Sequence, residues 1–215
     1  YESAYEVGGD YYDFIPLPRQ RLAVLLGDVA GKGVAAALLM AKLSADARFC
    51  MLTEPDPAAA VTRLNSLMKH SGIAEGFVTL VVAILDPASH TVTLVNAGHP
   101  SPLIYRRATG IMEEATSPDV AGFPIGVLDG FEYASCQVSL EPGDCMLAFT
   151  DGVTEAMDVN DVQFQTKGVY AAVQGEAYSP GALGERVVEV VKQFAAGRRQ
   201  HDDIALVGFG MTGFP

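Results

Sequence analysis

Aspartates at the borders of short apolar runs are the residues of this chain best suited to chemistry. Because the ends of strands in one sheet system can converge, these carboxylates could meet, and they would then repel one another unless cations lay between them. Oxygen-only ligation suits Mg²⁺ or Mn²⁺, and two such ions sharing one aspartate would activate a bridging water and hold a phosphoryl oxygen. The pattern favours hydrolysis of a phosphate ester, although each Gly-Asp pair alone is also typical of an ordinary turn. The positions are Asp10, Asp28, Asp151 and Asp202 with Asp203.

Other catalytic motifs fail on individual residues. The stretch GDVAGKG suggests a phosphate-binding P-loop, but the first glycine of that motif is missing and Gly33 stands where Ser or Thr is required. No cysteine is followed six residues later by an arginine, and no GxSxG elbow exists. The four histidines lack zinc-ligand spacing. Cysteine-phosphatase, acyl-enzyme and zinc chemistry are therefore not expected.

Hydrophobic periodicity predicts the elements that carry the aspartates. A first strand broken at Gly8 and Gly9 should be followed by a buried strand over 22–26 and two helices, near 34–50 and 57–70. A hairpin over 77–99, further strands near 103–105, 131–140 and 145–149, a helix capped by Ser179-Pro180 and a last strand after Asp203 complete the pattern. The five positions that we expect to form the buried stripe of the first helix are Val34, Leu38, Ala41, Ala45 and Phe49. For the second helix the expected stripe is Val61, Leu64, Leu67 and Met68, and for the last helix it is Leu183, Val187, Val190, Val191 and Phe194. With no repeat or linker, we expect one α/β domain whose strands are mainly antiparallel.

Composition limits the classes of partner. The 215 residues carry a formal net charge of -12, which disfavours nucleic acid because phosphate neutralisation needs clustered Lys and Arg. Three cysteines in apolar surroundings, with no CxxC pair, indicate buried thiols and a reducing compartment. No apolar run is long enough to cross a bilayer. We therefore predict a cytoplasmic protein without membrane insertion. The start at Tyr1 suggests a domain excised from a longer chain.

Seven sequence blocks, in order, resemble one known family. The blocks are VGGDYYDF, GDVAGKGVAAALLMA, FVTL, NAGHPSPLIY, FPIGV, LEPGDCMLAFTDGVTEA and HDDIALV. They are similar to the SpoIIE-like, or RsbU-like, branch of the metal-dependent protein phosphatases, the PPM or protein phosphatase 2C superfamily. The resemblance implies an αββα sandwich of two packed, mainly antiparallel sheets flanked by helices. It also implies a single PPM-type domain over 1–215, with a regulatory domain upstream.

The resemblance also implies roles for individual residues. Asp28 would bridge two Mn²⁺ or Mg²⁺ ions, with the Val29 carbonyl as an added ligand, while Asp10 would hold one ion and Asp151 the other. Asp202 aligns better than Asp203 with the remaining metal aspartate, but the choice between them stays open. The implied mechanism is in-line attack of a metal-bridged hydroxide on phosphorus, without a covalent enzyme intermediate, and Asp28, Asp10 and Asp151 are its catalytic residues.

The activity implied is that of a protein serine/threonine phosphatase in signal transduction. By resemblance, the substrate would be a phosphorylated anti-sigma-factor antagonist of the STAS type, and a homodimer could form through the upstream region or the first two helices. Those helices are also a hypothesis for the regulatory element, because a shift of the first would move the Asp28 turn. Two alternatives remain: a non-catalytic phosphoprotein-binding module of the same fold, and a phosphoesterase acting on a small molecule.

Several nearby residues have both a chemical and a structural interpretation. Asp13 could orient Asp10 or a metal-bound water, or it could simply be a polar strand residue. Lys32 could contact phosphate or be solvated, and His99 could be a general acid. For His99, in a Gly-His-Pro turn, a hydrogen-bonded structural role is the better expectation. The chain departs from the family pattern at Gln165, where glycine is usual, and at Ala205, where threonine is usual.

Overall fold

The computed structural model describes residue 1 and residues 8–31, 33–72, 76–173 and 179–211. These residues form two compact units. The Asp28 unit contains the described residues within 8–101 and 116–139. The Asp151 unit contains residue 1 and the described residues within 102–115 and 140–211. The expectation of a single domain over 1–215 stays a prediction.

Strands and helices alternate irregularly along the chain. The strands are β1 (Asp10–Leu17), β2 (Arg21–Val29), β3 (Val78–Asp86), β4 (Thr91–Ala97), β5 (Leu103–Arg106), β6 (Ile111–Glu114), β7 (Ala121–Gly122), β8 (Ser135–Ser139), β9 (Cys145–Phe149) and β10 (Leu206–Gly210). The helices are α1 (Val34–Thr53), α2 (Pro57–Lys69), α3 (Asp151–Thr154), α4 (Gln165–Ala172) and α5 (Pro180–Ala195).

The Asp28 unit is built on one sheet with the strand order β1-β2-β3-β4-β7, in which β8 also pairs with β4. All of these pairings are antiparallel except the two-residue pairing of β4 with β7. The predicted hairpin is confirmed as β3 and β4, joined by a turn in which His90 adopts a left-handed conformation. The first strand begins at Asp10, directly after the two glycines that were expected to break it, and residues 2–7 lie outside the described part of the chain.

Helix α2 packs against this sheet through the predicted face. Its N-cap is Asp56, whose carboxylate accepts hydrogen bonds from the backbone of Ala58 and Ala59, and Pro57 occupies the first turn. Val61, Leu64 and Met68 are buried, as the spacing predicts. The other side of the helix is polar, so the period of the apolar residues identifies the buried face without ambiguity.

The prediction for the buried face of α1 is wrong. The predicted stripe is the exposed side of the helix: Val34 is 78% exposed and Phe49 is 48% exposed. The residues buried in the core of the Asp28 unit lie on another face, and they are Ala36, Leu39, Leu43, Ala47, Cys50 and Met51. Because α1 is apolar on both sides, two stripes share the helical spacing, and periodicity alone does not distinguish them.

The Asp151 unit is built on an antiparallel sheet with the strand order β10-β9-β5-β6. Its core contains Leu147 and Phe149 from β9 together with Leu183 and Val187 from α5, so the predicted stripe of the last helix is confirmed. Ser179 caps α5 by accepting a hydrogen bond from Ala182 N at 3.3 Å. Helix α3 starts where β9 ends, and Asp151 is its first residue.

The fold class predicted from the sequence is confirmed. Two mainly antiparallel sheets, each accompanied by helices, form a mixed α and β structure. Cys50, Cys136 and Cys145 are free thiols. Cys50 and Cys145 are buried as predicted, whereas Cys136 is only half-buried. None of the helices in the described part of the chain is long and apolar enough to cross a membrane.

Candidate metal centre

Asp10 and Asp28 lie directly opposite each other in the antiparallel pair of β1 and β2. Opposed residues of an antiparallel pair point to the same face of the sheet, with Cβ atoms about 4.5–5.5 Å apart. Asp10 is only 7% exposed, and Asp28 is half-buried. Two carboxylates held this close and partly removed from water repel each other, and a shared cation is the usual way to offset that repulsion.

The Val29 carbonyl lies beside the same pair. Val29 N donates a hydrogen bond to Gly9 O at 3.2 Å, which joins the segment before β1 to the end of β2. A Cβ atom at position 9 would lie 3.1 Å from Val29 O and 3.3 Å from Asp28 Oδ1. Glycine therefore leaves room beside a carbonyl oxygen and a carboxylate oxygen. Oxygen atoms of these two kinds are the ligands that Mg²⁺ and Mn²⁺ prefer, so this set fits such an ion.

A second group of carboxylates lies in the Asp151 unit. Burial raises the pKa of Asp151 above its ordinary value, and the negative charges of Glu155 and Asp202 raise it further. The charge effect shows that Asp202 is close enough to Asp151 to act on it electrostatically. Asp202 is half-buried and its Oδ1 accepts a hydrogen bond from Asp203 N at 2.9 Å, whereas Asp203 is only 3% exposed.

Backbone packing fixes this second group. A Cβ atom at Gly152 would lie 1.9 Å from Asp203 O, so only glycine permits the start of α3 to approach the 202–204 segment so closely. Thr150 ties the same two segments together: its backbone N donates to Ala205 O at 3.0 Å, and its Oγ1 accepts from Ala205 N at 3.0 Å. Thr150 is not among the site residues predicted from the sequence, although it lies within the family-like block LEPGDCMLAFTDGVTEA.

The structure therefore places the predicted residues in two sets. Asp10, Asp28 and the Val29 carbonyl form one set, and Asp151 with Asp202 and Asp203 forms the other. Among the described residues, no group of three or more His, Cys, Asp or Glu side chains is assembled as a metal cluster. The roles assigned to these residues, including the bridging role of Asp28, remain predictions.

Comparison with known proteins identifies the family. The family model "Stage II sporulation protein E (SpoIIE)" matches residues 18–211, which is most of the chain. The chain belongs to the SpoIIE family. The resemblance to the SpoIIE-like and RsbU-like branch of the PPM phosphatases is thereby confirmed.

Individual relatives agree with this assignment. The phosphoserine phosphatase RsbU of Bacillus subtilis is 27% identical over 161 residues, which cover 73% of this chain and 46% of RsbU. The chain thus spans less than half the length of that relative. The SiaA-PP2C domain of Pseudomonas aeruginosa superimposes with a TM-score of 0.82 at 21% identity, covering 98% of this chain and 82% of that domain. RsbX, solved in complex with magnesium, superimposes with a TM-score of 0.68 at 14% identity over 96% of this chain and 89% of that one.

In this SpoIIE domain, Asp13 has a structural partner. Both of its carboxylate oxygens lie 2.7 Å from Arg48 Nη2 on α1, and its Oδ1 also accepts a hydrogen bond from Phe14 N. Because side chains alternate along β1, Asp13 points to the opposite face of the sheet from Asp10. The interpretation of Asp13 as a polar strand residue is therefore the correct one, and it does not orient Asp10.

His99 belongs to a hydrogen-bonded turn next to the Asp10 and Asp28 pair. Asn96 holds the turn by accepting from His99 N at 2.8 Å and donating to His99 O at 2.9 Å. His99 is buried, and its Nδ1 is hydrogen-bonded to Thr79 Oγ1 at 2.9 Å. Thr79 is the β3 partner of Asp28, so this hydrogen bond lies beside the carboxylate pair. The contacts agree with the structural interpretation of His99, and Lys32 lies outside the described residues.

Proposed function

We propose that this chain is the catalytic domain of a protein serine/threonine phosphatase that depends on Mn²⁺ or Mg²⁺. The observation that carries the proposal is the opposed pair Asp10 and Asp28, with the Val29 carbonyl beside it. A carboxylate pair with an adjacent carbonyl oxygen is a hard, oxygen-only donor set of the kind that these ions require. The SpoIIE membership and the printed activity of RsbU, phosphoserine phosphatase, support the reaction class.

Asp151 and Asp202 supply the second set of donors in this proposal. The negative charge of Asp202 contributes to the raised pKa of Asp151, and this supports the choice of Asp202 as the ligand. The buried backbone contacts of Gly152 and Thr150 hold these carboxylates in place. The magnesium in the RsbX structure supports the choice of ion, although RsbX is related to this chain at the level of fold.

The chain's own groups have defined tasks in this reaction. Asp10 and Asp28 hold the cation on one face of the β1–β2 pair, and Gly9 keeps the Val29 carbonyl accessible to it. The Thr79–His99 hydrogen bond fixes the neighbouring strand beside Asp28. Bound Mn²⁺ or Mg²⁺ would supply an activated water for in-line attack and would neutralise the phosphoryl oxygens. No serine or cysteine acts as a nucleophile.

The substrate in this proposal is a phosphorylated protein. By resemblance to the RsbU-like branch it is an anti-sigma-factor antagonist of the STAS type, and a homodimer through the upstream region or the α1–α2 region belongs to the same proposal. A cytoplasmic location likewise remains a prediction. The exposed apolar face of α1 is compatible with such contacts.

The proposal is tested by phosphate release from a phosphoserine peptide and from p-nitrophenyl phosphate, with and without Mn²⁺. We expect the unmodified chain to hydrolyse both only with the metal, and Asp28→Asn to lose at least about 100-fold in kcat/KM because one donor and one charge are removed. Asp13→Asn is the matched control, because Asp13 lies on the neighbouring strand β1 and on the opposite face of the sheet. Equal activity of the unmodified chain and Asp28→Asn, or activity unaffected by chelation, would overturn the proposal.

The same assay separates the two alternatives. A non-catalytic module would release phosphate from neither substrate at any Mn²⁺ concentration. A small-molecule phosphoesterase would hydrolyse p-nitrophenyl phosphate and leave phosphoserine peptides and phosphorylated STAS domains intact. Hydrolysis of the STAS substrate at a kcat/KM well above that of a generic phosphopeptide would support the partner proposed here.

A further inference from the structure

A cavity of about 260 Å³ lies within the Asp151 unit, next to the second carboxylate set. Gly152, Glu155 and Asp202 line one part of it. An apolar surface is formed by Met157 after α3, Val191 and Ala195 on α5, and Ile204 before β10. The cavity therefore joins an apolar surface to residues of the carboxylate group for which we propose a role in catalysis.

The wall that carries Met157 is held by an arginine. Arg198 Nη1 donates to Asp158 O at 2.7 Å, and its Nη2 pairs with Asp161 Oδ1 at 2.6 Å. The loop is also closed on itself, because Asp158 N donates to Val162 O at 3.0 Å and Phe164 N donates to Ala156 O at 2.8 Å. All of these bonds are made within the chain, so the loop that carries Met157 is preorganised.

Cationic side chains surround the remaining part of the cavity. Lys192, Arg198 and Arg199 line it, and Lys192 and Arg199 are exposed. The chain as a whole contains 14 Lys and Arg residues against 26 Asp and Glu residues, so such a grouping goes against its overall charge. Arg199 makes no ion pair with any residue that the structure describes. Its guanidinium is therefore available to bind a carboxylate or phosphate, for which arginine has the matching geometry.

We propose that this cavity binds the part of a phosphoprotein substrate that flanks the phosphorylated residue. One apolar side chain of the substrate lies on the surface formed by Val191, Ala195 and Ile204, and an acidic substrate residue pairs with Arg199. This inference rests on the proposed phosphatase function and names residues that select its substrate.

The lining of the cavity indicates the class of ligand more clearly than its size does. Its volume of about 260 Å³ lies near the lower end of the range of about 300–1,000 Å³ that is usual for small-molecule sites. The combination of an apolar surface and cations also matches a peptide that is acidic around an apolar residue. A small phosphate ester would need the cations alone. The geometry thus points to a protein substrate with acidic flanks.

Phosphoserine peptides test the charge pairing. Three peptides of one length carry Leu close to the phosphoserine and either Glu, Gln or Lys at the flanking positions. We expect the unmodified chain to prefer the Glu peptide. The preference is measured as kcat/KM for the Glu peptide divided by kcat/KM for the Lys peptide. Arg199→Glu should lower this ratio by at least about threefold, mainly through KM. Lys167→Glu, an equal charge change on the exposed side of α4, should leave this ratio unchanged.

A binding measurement separates failure of this inference from failure of the proposed function. The anisotropy of a labelled Glu phosphopeptide is measured with the full chain in the presence of chelator, where catalysis is not needed. Weaker binding to Arg199→Glu than to Lys167→Glu supports the cavity even if no hydrolysis occurs. Two results would overturn the inference and leave the proposed function standing. One is hydrolysis of all three peptides with a Glu-to-Lys ratio of kcat/KM that Arg199→Glu does not change. The other is equal binding of the Glu phosphopeptide by Arg199→Glu and Lys167→Glu.

The apolar part of the cavity has its own test. Ala195→Leu adds a branched side chain on the cavity side of the last turn of α5. We expect the unmodified chain to bind a Leu peptide at least about threefold more tightly than the same peptide with Ala, because Leu buries additional methylene and methyl groups. Ala195→Leu should remove this difference. If the difference persists in Ala195→Leu, the apolar side chain binds elsewhere.

Discussion

Gly152 and Asp203 are in such close contact that the backbone carbonyl oxygen of Asp203 lies 1.9 Å from the place where a Cβ atom at position 152 would be. The contact joins the first turn of α3 to the segment before β10. It lies between Asp151 and Asp202, two of the proposed metal ligands. The identity of residue 152 therefore controls both the packing of these segments and the spacing of the two carboxylates.

Substitution of Gly152 tests this contact. We expect Gly152→Ala to lower the free energy of unfolding by about 1–3 kcal/mol, because the added methyl group must displace backbone atoms. The measurement is urea unfolding followed by circular dichroism. Gly184→Ala in α5 is the control, since no atom lies within 4 Å of the added Cβ and alanine favours a helix by about 0.5–1 kcal/mol. Equal effects of the two substitutions would contradict the packing described.

Thr150 provides a second test of the same region. Its hydroxyl is fully buried and accepts a hydrogen bond from Ala205 N, so Thr150→Val leaves that buried N–H group without its acceptor. We expect the free energy of unfolding of this variant, measured in urea, to be lower by about 1–3 kcal/mol. Thr53→Val, at an exposed position at the end of α1, should stay within about 0.5 kcal/mol of the unmodified chain. A loss at Thr150 no larger than that at Thr53 would show that the bond contributes little.

The agreement between sequence and structure differs from one element to another for physical reasons. The buried faces of α2 and α5 were predictable because polar residues occupy the other side of each helix. For α1, apolar residues on both sides made the wrong stripe as plausible as the right one. The position of Asp28 at the end of its strand could be predicted from the sequence alone, because the apolar run and Gly27 after it mark that end.

The contacts around the candidate ligands were not predictable in the same way. The bond between Thr79 and His99 depends on strand register and on the turn held by Asn96, which join residues 20 positions apart. The approach of Gly152 to Asp203 joins positions about 50 residues apart in the chain. A single sequence contains the residues of such contacts but not their distances. The alternation along β1 places Asp13 and Asp10 on opposite faces, but the partner of Asp13, Arg48, became known only from the structure.

The Asp13–Arg48 pair should stabilise the β1–α1 contact without affecting metal binding. A double-mutant cycle with Asp13→Asn and Arg48→Gln measures the coupling, for which we expect about 0.5–1 kcal/mol because the pair is partly exposed and well oriented. Neither variant should change the affinity for Mn²⁺. A coupling energy of zero would mean that solvent screens the pair completely, and a tenfold loss of Mn²⁺ affinity would return Asp13 to the metal site.

Cys50 should make stability fall at alkaline pH. Burial raises the pKa of its thiol from 9.0 to about 11, while the nearby Arg63 acts in the opposite direction. A raised pKa in the folded state stabilises the fold fully below the unfolded pKa, and this contribution is lost as the pH rises from about 9 to about 11. Cys50→Ala should therefore show a smaller loss of unfolding free energy over that range than the unmodified chain. Parallel profiles would mean that the thiol does not titrate differently on folding.

The binding of Mn²⁺, measured by titration calorimetry in the absence of substrate, tests the central claim most directly. The account predicts that Asp28→Asn binds Mn²⁺ at least about tenfold more weakly than the unmodified chain, since a charged oxygen donor of the proposed site is lost. Asp13→Asn, which removes a carboxylate from the other face of the neighbouring strand, should bind as the unmodified chain does. Equal Mn²⁺ affinities for the unmodified chain and Asp28→Asn would contradict the assignment of Asp28 as a metal ligand.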